Sequence, residues 1–246
     1  MIHELMTADL LQAEAGRGGS WVPTRLWASD AFGCLRRAVL KLQGAATTVD
    51  PAPTMLQAFR YGNLYEDDIV AAVVRQLGEQ RVTTQLRLGD DYWSGKADLV
   101  IDHGTPTPTI VECKALNSKW WNYQDSLPKI EHVGQVCMYG HLYSKQFGVT
   151  PNLILFYRSW SDYAELMVTP HDETVAINGV MNGSKVTKIL LMNVRERREV
   201  AEWVFNNRAP LPDRLTNKED GCTFRGEPSC PMYYHCWPRQ DLSPSL

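Results

Sequence analysis

Ile110-Val111-Glu112-Cys113-Lys114-Ala115 is the stretch of sequence that decides the fold class. It follows the turn-forming run His103-Gly104-Thr105-Pro106-Thr107-Pro108, and its apolar and β-branched residues predict a β-strand. Successive side chains of a strand point to opposite faces, so Glu112 and Lys114 share one face while Val111 and Cys113 share the other. The sequence therefore places a carboxylate and an ammonium group side by side on a mostly apolar strand.

A second extended segment, from Tyr92 to Asp102, precedes the turn and predicts a hairpin with this strand. If the turn is centred near Thr105 or Pro106, Asp98 lies opposite residues 112 to 114. We therefore expect Asp98, Glu112 and Lys114 to converge on a solvent-accessible face. Two carboxylates beside a lysine suit phosphodiester hydrolysis, because the acids can hold a divalent cation while the lysine acts on water and on the developing negative charge. A salt bridge at a strand edge is the alternative that spacing alone leaves open.

An apolar pattern of helical period runs from Met55 to Leu77 and predicts a helix before the hairpin. Glu66 lies on the face that this helix shares with Val70 and Val73, so its carboxylate points inward and needs a partner. A metal ion is one such partner, and an ion pair with Arg60 or a helix-cap role is the alternative.

A second helical pattern, from Lys129 to Phe147, places Gln135 and Tyr139 four residues apart on one face. An amide and a phenol in this arrangement could contact a phosphate or a base, and ordinary core packing of Tyr139 is the alternative. Beyond it, residues 152–158 and 163–169 predict two strands, and a long helical stretch is predicted from about Val180 to Asn206.

Composition sets the broad class. The chain has 246 residues, of which 44% are hydrophobic and 22% charged, enough for a large α/β domain with accessory segments. No apolar stretch approaches the length of a membrane span, and the first eleven residues lack the features of a secretory signal, so we expect a cytoplasmic protein. In a reducing compartment the six cysteines favour a metal or cluster site over disulfides. The net charge of −3 does not decide for or against nucleic acid.

Four segments, taken in chain order, resemble the motifs of the RecB-type branch of the PD-(D/E)XK nucleases: Gly62-Asn63-Leu64-Tyr65-Glu66, Gly95-Lys96-Ala97-Asp98, Ile110 to Lys114, and Gln135 with Tyr139. The resemblance implies a restriction-endonuclease-like α/β core, a mixed sheet flanked by helices, that cuts DNA with Mg²⁺ or Mn²⁺. It further implies roles for each matched position. The metal ligands would be Glu66, Asp98, Glu112 and the backbone carbonyl of Cys113, Lys114 would be catalytic, and Gln135 and Tyr139 would support substrate binding.

The cysteines extend this resemblance to the iron-sulfur subset of the family, which includes AddB-like exonucleases and CRISPR-associated Cas family four. Their four implied 4Fe-4S ligands are Cys34, Cys222, Cys230 and Cys236. A structural cluster of this kind would staple an N-terminal helical arm, residues 1–54, and a cysteine-rich segment, residues 210–246, onto a nuclease core of residues 55–209. Zinc held by the C-terminal cysteines and His235 is the alternative. Cys113 and Cys137 are expected to be small buried residues.

The expected function is that of a metal-dependent DNA exonuclease acting on single-stranded or frayed ends, in CRISPR adaptation, phage recombination or DNA repair. Its partners would be DNA and other recombination or adaptation proteins, with no membrane. Lys119, Trp120 and Trp121 follow the catalytic strand, where lysine could contact phosphate and the rings could stack on bases; core packing of the rings is the alternative. A catalytically inactive scaffold that binds DNA ends with the same fold is the competing function.

Overall fold

The computed structural model describes residues 5, 8–13, 23–116, 127–206, 222–224, 227–228 and 230–236. A short 3-10 turn, Ala28–Asp30, follows the first strand. Residues 8–13 are helical. The strands and helices that follow them, in chain order, are β1 (Leu26–Trp27), α1 (Leu35–Leu42), α2 (Pro53–Leu77), β2 (Val82–Gly89), β3 (Trp93–Ile101), β4 (Thr109–Ala115), α3 (Ile130–Phe147), β5 (Asn152–Arg158), β6 (Tyr163–Pro170), β7 (Thr174–Met181), β8 (Ser184–Leu191), α4 (Val194–Asn206), β9 (Thr223–Phe224), β10 (Glu227–Pro228) and α5 (Tyr233–Cys236).

Strands β1 to β8 form one mixed sheet within the described residues. The order is β1-β3-β4-β5-β6-β7-β8, and β2 also pairs with β3. The β4–β5 and β1–β3 pairs are parallel and the others antiparallel. Helix α3 provides the crossover between the parallel strands β4 and β5, which a two-residue turn could not join. The predicted mixed sheet with helices is therefore confirmed.

Side chains along the central strands point alternately to the two faces of the sheet, and both faces are apolar. On one face Leu99, Val111 and Cys113 pack against Ile69 and the C-terminal half of α2. The opposite face of the same strands, with Ile110 as one of its buried residues, receives α3, whose inner side is almost fully buried. Glu112 and Asp98 belong to this second face, so carboxylates interrupt a sheet surface that is otherwise hydrophobic.

The chain divides into two compact units. One consists of residues 25–33 and 61–209 and contains the sheet, while the other consists of residues 1–24, 34–60 and 210–246. Within the latter, Leu40 of α1 packs with Cys222, Cys230 and Met232, and the hydroxyl of Thr48 donates to the carbonyl of Pro231 over 3.0 Å. Segments from both ends of the sequence thus share one small core.

The prediction of a helix from about Val180 to Asn206 is wrong in its first half. Residues up to Leu191 form the hairpin of β7 and β8, and the helix α4 begins only at Val194. Asn182 and Gly183 have φ values of 47° and 80°, the left-handed conformation that a two-residue hairpin turn requires. The Asn-Gly pair was the signal for this turn, and it outweighs the apolar spacing of the flanking residues.

No helix in the described parts of the chain is both long and apolar enough to cross a bilayer.

Candidate active site

Asp98 and Glu112 lie where strands β3 and β4 stop pairing. Backbone pairing runs from Ile101↔Thr109 to Leu99↔Val111, and Asp98 and Glu112 occupy the next position on each strand. The backbone N–H of Cys113 donates to Oδ2 of Asp98 over 2.8 Å. The Asp98 carboxylate therefore takes the place of the next backbone acceptor at the end of the ladder and lies next to Glu112, as the register inferred from the turn had placed it.

Glu112 is only 1% exposed, so the expected solvent-accessible face is wrong for this residue and for Asp98, which is also buried. Lys114 lies two residues further along β4, on the same face as Glu112. Its Nζ donates to Oε1 of Glu112 over 2.5 Å. Burial raises the pKa of Glu112 above its ordinary value although Lys114 acts to lower it. Burial acts to lower the pKa of Lys114, but the nearby carboxylates, first Glu112, outweigh burial and raise it, so the ammonium stays charged.

The second oxygen of Glu112, Oε2, is buried and has no hydrogen-bond partner among the described residues. Asp98 lies close to Glu112. Burial, followed by the charge of Glu112, raises the pKa of Asp98 to about 7. Two acceptor groups thus face each other with too few donors between them. Such an arrangement holds a shared proton or a cation, because unpaired buried charges are otherwise too costly.

Glu66 reaches the same region from helix α2. Its pKa is raised by burial and then by the charge of Asp98, which places the two carboxylates within electrostatic range. The expected alternative partner, Arg60, instead donates to Asp9 over 2.9 Å. Glu66 accepts from Nε2 of Gln85 over 2.6 Å.

Gln85 is a site residue that the sequence analysis missed. It interrupts β2 at φ 53°, between residues that pair in regular register with Leu99 and Ala97, so it lies opposite Asp98. A left-handed glutamine inside a strand costs about 1–3 kcal/mol and is typical of functional sites. Gln85 was missed because a glutamine within a strand of alternating polar and apolar residues gives no sequence signal for a left-handed backbone conformation.

Gln135 and Tyr139 lie on the inner face of α3, above the carboxylates. Nε2 of Gln135 donates to the Tyr139 hydroxyl over 2.8 Å, and both side chains are buried. Burial, followed by the charge of Glu112, raises the pKa of Tyr139, so its phenol remains protonated. A Cβ on Gly95 would lie 2.5 Å from Cε1 of Tyr139, which explains the glycine at this position of the second motif.

The oxygen chemistry of this group suits a hard divalent cation. Among the described residues, no three His, Cys, Asp or Glu side chains are grouped tightly enough to hold a metal ion. Mg²⁺ commonly uses only one or two carboxylates and completes its shell with water and substrate oxygens. The pair of Asp98 and Glu112, with an oxygen of Glu112 left without a donor, fits that pattern.

Cys113 contributes a backbone N–H to the site and not its sulfur. The thiol lies in the core on the α2 side, where burial raises its pKa, so it is inert at neutral pH. Lys119, Trp120 and Trp121, predicted to bind DNA, lie outside the described residues.

The four predicted cluster cysteines lie in the unit that joins the chain ends. Cys222 and Cys230 are buried, Cys34 and Cys236 are half-buried, and none forms a disulfide. Burial raises the pKa of Cys230, with the nearby Cys34 and Cys236 thiols adding to the effect. His235, the fourth ligand of the zinc alternative, contacts the carbonyl of Ala46 through Nε2 at 2.9 Å.

No protein-family model matches the chain, and no curated protein matches it either. Among solved structures, the chain is similar to SSO0001, with a TM-score of 0.43 and 15% identity, covering 86% of this chain and 88% of that one. It is also similar to an alkaline exonuclease, LHK-Exo, from Laribacter hongkongensis, with a TM-score of 0.44 and 11% identity over 75% of this chain and 89% of that one. Both TM-scores are below 0.5, and neither likeness establishes a function for this chain.

Proposed function

We propose that this chain is a divalent-metal-dependent deoxyribonuclease that hydrolyses phosphodiester bonds at DNA ends, as an exonuclease. The observation that carries the proposal is the buried pair Asp98 and Glu112, with one oxygen of Glu112 lacking a donor and Lys114 held against the other. The four-motif resemblance supplies DNA as the substrate class.

Each side chain of the site has a role in this proposal. Asp98 and Glu112, with Glu66 beside them, would hold Mg²⁺ or Mn²⁺, which when bound supplies positive charge to the scissile phosphate and an acidified water. Lys114 stays protonated and presents its ammonium to the negative charge that develops on the phosphoryl oxygens. Gln135 and the protonated Tyr139 donate hydrogen bonds that orient the phosphate. Cys113 holds Asp98 in place through its N–H.

The test compares digestion of end-labelled single-stranded DNA by the full chain in Mg²⁺, in Mn²⁺ and in EDTA. Glu112→Gln and Asp98→Asn keep side-chain volume and remove charge, so each should lower cleavage by about 100-fold or more, since losing several kcal/mol of charge stabilisation has that size. Glu165→Gln, an exposed acid on β6, is the matched control and should keep full activity.

Full activity of Glu112→Gln, or cleavage that persists in EDTA, would contradict the proposal. Metal-dependent binding of DNA ends without cleavage would instead identify the competing function, an inactive scaffold. The proposal includes a role in CRISPR adaptation, phage recombination or DNA repair.

The proposal includes a structural 4Fe-4S cluster on Cys34, Cys222, Cys230 and Cys236. It rests on the family resemblance and on the shared core of Cys222, Cys230 and Cys236 with α1, the helix that begins directly after Cys34. Among the described residues no three of these thiols are grouped tightly enough to hold a metal ion in this structure. A zinc site that uses His235 would require its imidazole to leave the carbonyl of Ala46. In this proposal residues 55–209 carry the chemistry, and residues 1–54 and 210–246 carry the cluster.

A further inference from the structure

An aromatic patch lies on the sheet unit beside the candidate site. It consists of Tyr61, Leu64 and Tyr65 on helix α2, together with Arg158 and Trp160 at the end of β5. Trp160 is 90% exposed and Tyr61 53% exposed, which is unusual for large aromatic side chains. The patch lines a cavity of about 450 Å³, and Arg158 and Trp160 also line a second cavity of about 440 Å³.

The turn that carries Trp160 is held by a dense set of hydrogen bonds. The buried hydroxyl of Ser159 donates to the carboxylate of Asp162 over 3.0 Å, and Asp162 N–H donates back to this hydroxyl over 3.1 Å. Asn182 on the neighbouring hairpin donates to the other oxygen of Asp162 over 2.9 Å. Trp160 is therefore presented to solvent by a turn that these hydrogen bonds hold in one conformation.

The patch adjoins Glu66, the candidate site residue on α2. In the parallel pair of β4 and β5, Ala115 lies opposite Arg158, so Arg158 projects from the α2 face of the sheet, the face opposite to Lys114. On α2, Tyr65 directly precedes Glu66, and the guanidinium of Arg158 lies 5.9 Å from the centre of the Tyr65 ring. A DNA strand that extends from the scissile phosphate along the Glu66 side of the site would reach this surface.

We propose that the aromatic patch is a stacking platform for the bases of single-stranded DNA next to the scissile phosphate. The inference rests on the proposed nuclease function for its position, but its binding chemistry is separate. Exposed tyrosine and tryptophan faces, with an arginine plane among them, stack on unpaired bases of any sequence.

The aromatic patch has no excess of positive charge, which excludes double-stranded DNA as its ligand. Arg158 is already paired with Asp68 over 2.6 Å, and Asp68 and Asp162 line the two cavities. A duplex hides its base faces and offers its phosphates, and binding phosphates requires an excess of positive charge. The patch has aromatic faces and no such excess, so it suits bases that have left the helix.

The test measures binding of the full chain in EDTA to an oligothymidylate and to an abasic oligonucleotide of the same length. Trp160→Ala should weaken oligothymidylate binding by about tenfold, the loss expected for one stacking platform, and should leave abasic binding as it is. Trp203→Ala on α4, a tryptophan that is 59% exposed, is the matched control and should change neither affinity. Circular dichroism checks that each variant is folded.

Unchanged oligothymidylate affinity in Trp160→Ala, or equal weakening for the two ligands, would overturn the platform. Self-association of the chain that Trp160→Ala abolishes, with unchanged oligothymidylate binding, would also overturn it and assign the patch to contact between copies. Because EDTA prevents metal-dependent cleavage, absence of nuclease activity in Mg²⁺ would overturn the proposed function without affecting this binding result.

Discussion

Lys114 and Glu112 depend on each other for stability as well as for chemistry. Glu112 is almost completely buried, and Lys114 contacts it directly, so removing the lysine leaves a carboxylate without its counter-charge in the core. We expect Lys114→Met to lower the free energy of unfolding by about 3 kcal/mol at neutral pH, in addition to its effect on cleavage. Urea denaturation measures the loss.

The double variant Glu112→Gln/Lys114→Met is the control for this prediction. It removes both charges at once, so it should recover most of the stability that Lys114→Met loses. If the single and the double variant are equally unstable, packing of the lysine stem, and not its charge, stabilises the strand.

His132 should make the protein sensitive to acid. It contacts the Tyr157 hydroxyl at 2.9 Å, and burial, followed by the nearby Lys114 and Lys129 charges, lowers its pKa to about 3. Between pH 6.5 and pH 3 the unfolded chain binds a proton at this residue and the folded chain does not, so stability is lost as the pH falls through this window. We expect His132 to lower the free energy of unfolding by about 2 kcal/mol between neutral pH and pH 4.5, after allowance for its partial exposure.

His132→Gln removes the titrating group and keeps a polar side chain opposite Tyr157. Stability measured by urea denaturation from pH 7 to pH 4.5 should fall less steeply in this variant than in the wild type. Parallel pH profiles for the two proteins would show that other groups cause the acid sensitivity.

At the level of elements, the contact between α3 and β3 positions Tyr139, and Gly95 makes this contact possible. A Cβ at Gly95 would lie 2.5 Å from the Tyr139 ring and 3.1 Å from Cβ of Ala28. Gly95→Ala should therefore destabilise the fold by about 1–3 kcal/mol and displace Tyr139 from the site, so cleavage should fall with it. Thermal unfolding and cleavage assays on the same preparation measure both effects.

Gly62 provides the contrast on α2. A Cβ there meets nothing within 4 Å, and alanine favours a helix interior by about 1 kcal/mol over glycine. Gly62→Ala should raise the unfolding midpoint, whereas Gly95→Ala should lower it. Equal effects of the two substitutions would mean that backbone entropy, and not the clash with Tyr139, determines the result.

The sequence predicted elements wherever a periodic pattern coincided with local turn chemistry. Helix α2, expected from Met55 to Leu77, spans Pro53–Leu77, and the β3–β4 register followed from the position of the turn. The error at β7 and β8 arose because apolar spacing alone does not separate a strand pair from a helix, while the Asn182-Gly183 turn does. The bond between Gln85 and Glu66 could not be predicted, because it depends on a left-handed residue and on the packing of α2 against the sheet.

At the level of the whole molecule, the two units are built from interleaved parts of the sequence. Residues 34–60 and 210–246 belong to one unit although the whole of residues 61–209 lies between them in the chain. Bringing such distant segments together carries a loop-closure cost that rises with the length of the intervening chain. A covalent link within this unit would therefore contribute more to stability than a link between neighbouring residues.

An iron-sulfur cluster would be such a link. Cys34 and Cys222 are about 190 residues apart, and closing a loop of this length stabilises a fold by about 5 kcal/mol in the chain-entropy description. We expect the anaerobically purified chain to be brown, with absorbance near 400 nm. Replacing any one of Cys34, Cys222, Cys230 and Cys236 by serine should bleach it and lower its unfolding midpoint.

Cys113 and Cys137 are the internal controls for this prediction. Both are buried in the sheet unit, and burial raises the pKa of each thiol, that of Cys137 to about 12, so neither is a thiolate available to iron. Cys113→Ser and Cys137→Ser should keep the colour and the iron content. Stoichiometric zinc without iron in the wild-type chain would contradict the cluster. In that case His235→Ala should release the zinc only if the imidazole leaves the carbonyl of Ala46 to act as a ligand.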